Sequence, residues 1–262
     1  MERALSNSRV LPRLVTLGIS VIALVVLALP VSANAADPAA AGPSTTHPEY
    51  TETTLSNEQD FSRWAFVKRR VIAYSQPKNK GRKVRKLTTR TPDRTHDLVL
   101  VLRERKYVDG TVWSQVRVPR RGRSNIAWVR RNALDRYRKV RTRLEISRNR
   151  YKAKLYRNNK LVWSARIGIG KRGTITPKGN FYIRNRLITT NSRGPYGPYA
   201  MGLSAYSKTL SDWPGGGIIG IHGTNQPGIL PGRVSHGCIR VKNSKIRKLF
   251  RMMPAGTPVK IT

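Results

Sequence analysis

Twelve residues separate His222 of Ile221-His222-Gly223-Thr224 from Ser235 of Ser235-His236-Gly237-Cys238-Ile239-Arg240. Cys238 is the only cysteine in 262 residues, and two of the four histidines lie shortly before it, each followed directly by glycine. A thiol attacks as its thiolate, and an imidazole within reach together with a positive field favours that form. Glycine beside the thiol lets backbone N–H groups approach a reacting carbonyl, as an oxyanion site requires. The same residues have plainer uses: structural histidines, turn glycines, or a zinc ion held by His222, His236 and Cys238. Against zinc stand the tight His-Gly-Cys spacing and the scarcity of carboxylates, since Glu145 and Asp212 are the only two from Arg138 onward. A hydrolase working through paired carboxylates has almost nothing to use there.

Upstream, alternation of apolar and polar residues marks strands. Tyr151, Ala153 and Leu155 face one way, Asn158-Asn159 turns the chain, and Leu161, Trp163, Ala165 and Ile167 continue the pattern. Gly and Pro punctuate the chain from there to Gly232. One helix is predicted, with Asn243 or Ser244 as N-cap, Ile246, Leu249 and Phe250 on one face, and Pro254 with Gly256 at its end. Val259 to Ile261 supplies a last strand.

A separate segment, 61–137, carries short strand-like pieces at Ala65-Phe66-Val67, Leu98 to Leu102, Trp113 to Val116 and Ala127-Trp128-Val129, with Asp109-Gly110 as a hairpin turn. About five short strands in so few residues predict a small barrel. Trp113 to Val118 and Ile126 to Leu134 resemble the end of a bacterial SH3-like domain, a resemblance that leaves open whether the segment binds wall peptide or acts as a spacer.

Charge and the chain start set the address. Lys and Arg number 51 against 13 Asp and Glu, a net charge of +38. The one cysteine excludes an internal disulfide and a four-cysteine zinc site. Met1 to Ala35 has a basic start at Arg3, Arg9 and Arg13, an apolar run from Leu14 to Pro30, and the small-residue pattern Ala33-Asn34-Ala35. That pattern predicts a signal peptide over 1–35 and an exported, extracytoplasmic protein, with an uncleaved anchor as the alternative. Residues 36–60 hold five acids and no Lys or Arg among Ala, Pro, Ser and Thr, the composition of a flexible acidic linker. Beyond it the excess is +17 over 61–137 and +24 over 138–262. The basic residues are dispersed and not interleaved with aromatics in one block, and export places the chain away from nucleic acid. Anionic wall polymers or a membrane surface are the expected counter-charges, against the alternative of a merely solvated basic surface.

The pairing of Ile221-His222-Gly223-Thr224 with Ser235-His236-Gly237-Cys238-Ile239-Arg240 resembles the signature of L,D-transpeptidase catalytic domains. Thr174-Ile175-Thr176-Pro177-Lys178-Gly179-Asn180-Phe181 resembles that family's TPxGxF segment, with Ile175 where many members carry proline. The resemblance implies a mainly β catalytic domain over 141–262 with one short helix, so that the chain reads as a small SH3-like barrel followed by a β-rich catalytic domain. It implies action on peptidoglycan stem peptides through a cysteine thioester, giving 3→3 cross-links or anchoring, or hydrolysis as an L,D-carboxypeptidase. The rival from another class is a non-catalytic wall-binding protein. By position, Cys238 is the implied nucleophile and His222 the proton acceptor and donor. His236 and Gly237 fall in the oxyanion region, and Gly223, Ser235 and Arg240 at the substrate. Spacing alone leaves His236 open as the base. No metal or other cofactor is implied, and a monomer is expected.

Overall fold

Short runs of β-branched and aromatic residues, broken by Gly, Asn and Asp turns, build two sheets. The computed structural model describes residues 44–47, 49–78, 81–119, 126–210 and 216–262, all within the unit Ala39–Thr262. The expected leader over 1–35 lies outside the described residues, as do residues 36–43 of the expected linker.

The first sheet contains β1 (Ser44–His47), β2 (Tyr50–Thr54), β3 (Ser62–Phe66), β4 (Val71–Tyr74), β5 (Lys83–Leu87), β6 (Leu98–Tyr107), β7 (Val112–Arg117), β8 (Ile126–Arg130) and β9 (Arg138–Val140). Its order is β1-β2-β6-β7-β8-β4-β5, and β3 bridges β6 to β9. The second contains β10 (Thr142–Ser147), β11 (Lys152–Arg157), β12 (Lys160–Arg166), β13 (Gly168–Gly170), β14 (Gly179–Ile188), β15 (Tyr199–Tyr206), β16 (Ile218–His222), β17 (Gly232–Ser235), β18 (Ile239–Arg240) and β19 (Pro258–Ile261). Its order is β12-β11-β10-β19-β14-β15-β16-β18-β13-β17. The helix α1 (Asn243–Met252) buries Ile246 and Leu249 against this sheet's core, with Phe250 partly covered. The protein is mainly β.

Two details depart from the alternation pattern. Asn158 and Asn159 do turn the chain, with φ of 48° and 61°, the left-handed values a two-residue hairpin requires. The register then shifts between Leu155 and Tyr156, so Leu161 pairs with Tyr156 and is half exposed while Trp163 and Ala165 are buried. β4 and β5 go beyond the expected strands: β4 is four residues of Val-Ile-Ala-Tyr with no polar alternation, and β5 mixes Lys and Arg with Val and Leu without a clean period of two.

The composition of 36–60 predicts a free tether; the structure instead draws its later part into the first sheet. β2 pairs antiparallel with β6, placing Thr51, Glu52 and Thr53 opposite Lys106, Arg105 and Glu104. Glu52 accepts from Arg103 at 2.9 Å and from Arg105 at 2.5 Å, and Leu55 is buried in the core of the first sheet. Glu58 forms a forked pair with the buried Arg117. Acidic residues that cannot make a core alone become ordered where a basic sheet edge supplies the opposite charge and Thr side chains suit a pleated strand.

The two sheets meet over Trp64, Leu98, Leu100, Leu102 and Val140 from the first and Tyr182 from the second. Gly256 has φ of +78°, and a Cβ there would fall 2.1 Å from Trp64, so this contact requires glycine. Tyr182 is fully buried and donates its hydroxyl proton to the Leu98 carbonyl at 3.0 Å. Beside it Arg184 grips Asp97 with both forks, Nε to Oδ1 at 2.7 Å and Nη2 to Oδ2 at 2.6 Å. Asp97 is 1% and Arg184 5% exposed at the side chain, so neither charge has water as a substitute. Removing one partner strands the other, a loss of about 3–5 kcal/mol. Asp97→Ala should therefore lower the unfolding free energy by about that amount in urea titrations, and Asp97→Leu with Arg184→Met should recover most of it. A single variant as stable as the parent would show that the pair does not hold the junction.

Candidate active site

Strand pairing puts the thiol beside an imidazole. β16 and β18 run parallel, with Ile221 opposite Ile239 and His222 opposite Arg240. Because successive side chains alternate across a sheet, His222, Cys238 and Arg240 project from one face. Ile221 and Ile239 project from the other into the apolar core. The apolar residues thus fix the register that delivers the polar ones. Tyr196, Ile219, His222, His236, Cys238 and Arg240 line a cleft of about 280 Å³.

The loop from Ser235 to Cys238 is held by hydrogen bonds to its own backbone. Ser235 Oγ accepts from the Gly237 N–H at 3.1 Å and donates to the Cys238 carbonyl at 2.6 Å. Gly237 has φ of +118°, and a Cβ would fall 2.9 Å from Ile219, so both backbone and space favour glycine. The Gly220 N–H donates to Cys238 Sγ at 3.4 Å. Behind the loop, Thr176 donates its hydroxyl proton to the Gly237 carbonyl at 2.7 Å. Thr174 does the same to the Ser235 carbonyl at 3.2 Å.

His222 is 4% exposed, with its Nδ1 2.6 Å from the Gly223 carbonyl and the edge of its ring against Tyr196. A carbonyl only accepts, so Nδ1 carries the proton and Nε2 is left with its lone pair. Burial pushes the imidazole pKa down to about 4; the Gly223 carbonyl opposes this and Arg240 adds to it. Burial also pushes the Cys238 thiol up, against the Gly220 N–H and Arg240, which favour the thiolate. The sequence leads one to expect a thiolate favoured by positive surroundings. In the structure desolvation outweighs that field, and the resting pair is a neutral thiol and a neutral imidazole.

The structure brings Cys238, His222, Ser235, His236 and Arg240 to one cleft, with His236 exposed at its lip. Arg240 Nη1 donates to Gln226 at 3.3 Å, while its buried Nε has no hydrogen-bond partner among the described residues. Gly223 contributes its backbone: a Cβ there would fall 2.3 Å from Asn243 Oδ1. Asn243 is the first residue of α1, not its N-cap, and its side chain accepts from the Thr224 N–H at 2.9 Å. Thr176, Asn243 and Tyr196 were not singled out by chemistry in the sequence; for Thr176 the family-like Thr174 to Phe181 segment was the available signal. His47 and His96 lie elsewhere, His47 stacked on Tyr50 and His96 against Phe66. Among the described residues no three His, Cys, Asp or Glu side chains converge into a metal-holding group.

Residues 141–261 match the model of the YkuD family, an L,D-transpeptidase catalytic domain. Over 120 residues the chain is 38% identical to the predicted L,D-transpeptidase YkuD of Bacillus licheniformis, covering 46% of this chain and 65% of that protein. It is 39% identical over 104 residues to the Bacillus subtilis counterpart, covering 40% and 56%. The chain thus spans less than two thirds of the length of these curated relatives. Among solved structures, an Enterococcus faecium L,D-transpeptidase aligns at 29% identity over 46% of this chain and 49% of that one, with a TM-score of 0.37.

The neutral pair has a kinetic signature. A thiol held above its usual range, beside an imidazole that protonates only near pH 4, loses its proton late. The rate of Cys238 alkylation by iodoacetamide should climb through about pH 9 without levelling. A plateau between about pH 5 and 8 would reveal a stable thiolate–imidazolium pair and contradict this account.

Proposed function

We propose that this protein, whose residues 141–261 match the model of the YkuD L,D-transpeptidase catalytic domain family, is a cysteine acyltransferase acting on peptidoglycan stem peptides. The observation that carries the reading is the shared face of His222 and Cys238, with the thiol open to the cleft and a base nitrogen left unprotonated.

In the proposed reaction Cys238 Sγ attacks the carbonyl carbon before a terminal D-alanine as His222 Nε2 takes the thiol proton. The C=O electron pair moves onto oxygen, toward backbone N–H groups around His236, Gly237 and Cys238. Collapse of this intermediate breaks the C–N bond, and the proton on His222 passes to the leaving amine. A thioester remains on Cys238. An amine of a second stem then attacks the thioester, giving its proton to His222, which returns one to sulfur as the C–S bond breaks. The products are a 3→3 cross-link and the free thiol; water in place of the amine gives L,D-carboxypeptidase activity. No metal or nucleotide enters, because the thioester conserves the free energy of the donor amide. Arg240 and Ser235 border the reacting centre, where Arg240 suits a substrate carboxylate.

The proposal extends to the rest of the chain. The expected leader sends the protein outside the cytoplasm, the first sheet serves as an SH3-like wall-peptide binder or spacer, and the excess of basic residues retains the protein on anionic wall polymer.

The single cysteine makes a clean test. A carbapenem should add one drug mass per chain, and the adduct should vanish in Cys238→Ala. It should form at least about 100-fold more slowly in His222→Ala and be unaffected in His96→Ala. With a tetrapeptide stem, product analysis with and without an acceptor amine separates transpeptidation from hydrolysis. A folded chain that forms no adduct and converts no stem peptide would leave a non-catalytic wall-binding protein.

A further inference from the structure

We propose that Thr176 is a positioning residue that orients the oxyanion site from behind; this rests on the acyl-transfer reading above. Thr176 is fully buried, and its hydroxyl bridges two backbone groups. It accepts from the Gly170 N–H at 2.9 Å and donates to the Gly237 carbonyl at 2.7 Å. Its own backbone is pinned as well, since Arg148 Nη1 donates to the Thr176 carbonyl at 2.7 Å. The bridge is crowded: a Cβ on Gly170 would fall 2.1 Å from the Thr174 carbonyl and 2.7 Å from the Thr176 nitrogen.

The consequence follows from the geometry of one peptide unit. In a trans peptide the N–H points opposite to the C=O. Fixing the Gly237 carbonyl toward Thr176 fixes the Cys238 N–H in the opposite direction. Thr176 does not border the cleft, whereas Cys238 and Ser235 do. The N–H is thus turned to the side from which a substrate carbonyl arrives. Gly237, at φ of +118°, is the residue whose freedom this constraint removes, because without the Thr176 bond glycine permits the peptide to rotate. Ser235 restrains the same loop at the Gly237 N–H and the Cys238 carbonyl, but neither bond engages the Gly237 carbonyl. Thr176 acts through the backbone and touches neither thiol nor base.

Two reactions of the same thiol separate this role from a structural one. Alkylation by iodoacetamide displaces iodide from carbon and builds no charge on a carbonyl oxygen, so it needs no oxyanion site. Acylation by a carbapenem forms the S–C bond, moves the C=O pair onto oxygen, opens the ring C–N bond and protonates its nitrogen. Thr176→Val keeps the shape and removes the hydroxyl; Thr176→Ser keeps the hydroxyl. We expect acylation to fall about 100-fold in Thr176→Val while alkylation stays within about twofold of the parent, and Thr176→Ser to restore most of the acylation rate. Should the valine variant not fold, Thr176→Ala takes its place with the same expectation. Equal loss of both reactions, or acylation within about threefold of the parent, overturns the proposal. A parent that is alkylated but not acylated would instead overturn the acyl-transfer reading on which the proposal rests.

Discussion

A 2.6 Å hydrogen bond between His222 Nδ1 and the carbonyl of the next residue, Gly223, decides which ring nitrogen is left with its lone pair. It fixes the tautomer, and the tautomer leaves Nε2 as the base nitrogen that the proposed reaction uses. The bond depends on the shape of the chain after β16. Val241 donates to the His222 carbonyl at 2.9 Å, Gly223 donates to Tyr199 at 3.2 Å, and Asn243 holds the Thr224 N–H. The parallel pairing of β16 with β18 supplies the rest, since the same register buries Ile221 and Ile239 and presents His222 beside Cys238. Burial that stabilises the sheet also limits the hydration of both titratable groups, pushing the imidazole down and the thiol up.

A chain this basic must still neutralise itself where the two sheets meet and along their surfaces. Two of its carboxylates take more than one partner. Glu52 holds two arginines, and Asp97 holds Arg184 while accepting the Leu98 N–H at 2.9 Å. Arginines also lie over aromatic rings, with Arg186 4.0 Å above Phe250, Arg143 4.2 Å above Tyr156 and Arg105 4.4 Å above Tyr50. A ring face attracts a cation, so these rings add to the carboxylates that Arg105 and Arg143 also hold.

The constellation at Cys238 was legible in the sequence because its chemistry demands particular residue types within a short span. The β character of both halves was legible through alternation and turns. Other features depend on partners far away in the chain. The Thr176 hydroxyl meets a carbonyl 61 residues on, and the family-like segment around Thr176 marks the residue without naming that partner. Glu52 meets Arg103 and Arg105 across 51 and 53 residues, which is why an acidic stretch read as a tether contains a strand. Asn243 looked like a helix cap from its neighbours, yet its side chain is committed to the loop after His222. The thiol's surroundings were legible only in part: the positive field of Arg240 favours the thiolate as the composition suggests, whereas the opposing burial is a property of the folded sheet.

Nitrogen NMR of the His222 imidazole tests the central claim most directly, because it reads tautomer and titration from the same ring. The account predicts a neutral ring protonated at Nδ1 throughout the physiological range, titrating near pH 4. A ring protonated at Nε2, or one that titrates at or above the ordinary value of 6.5, would contradict it.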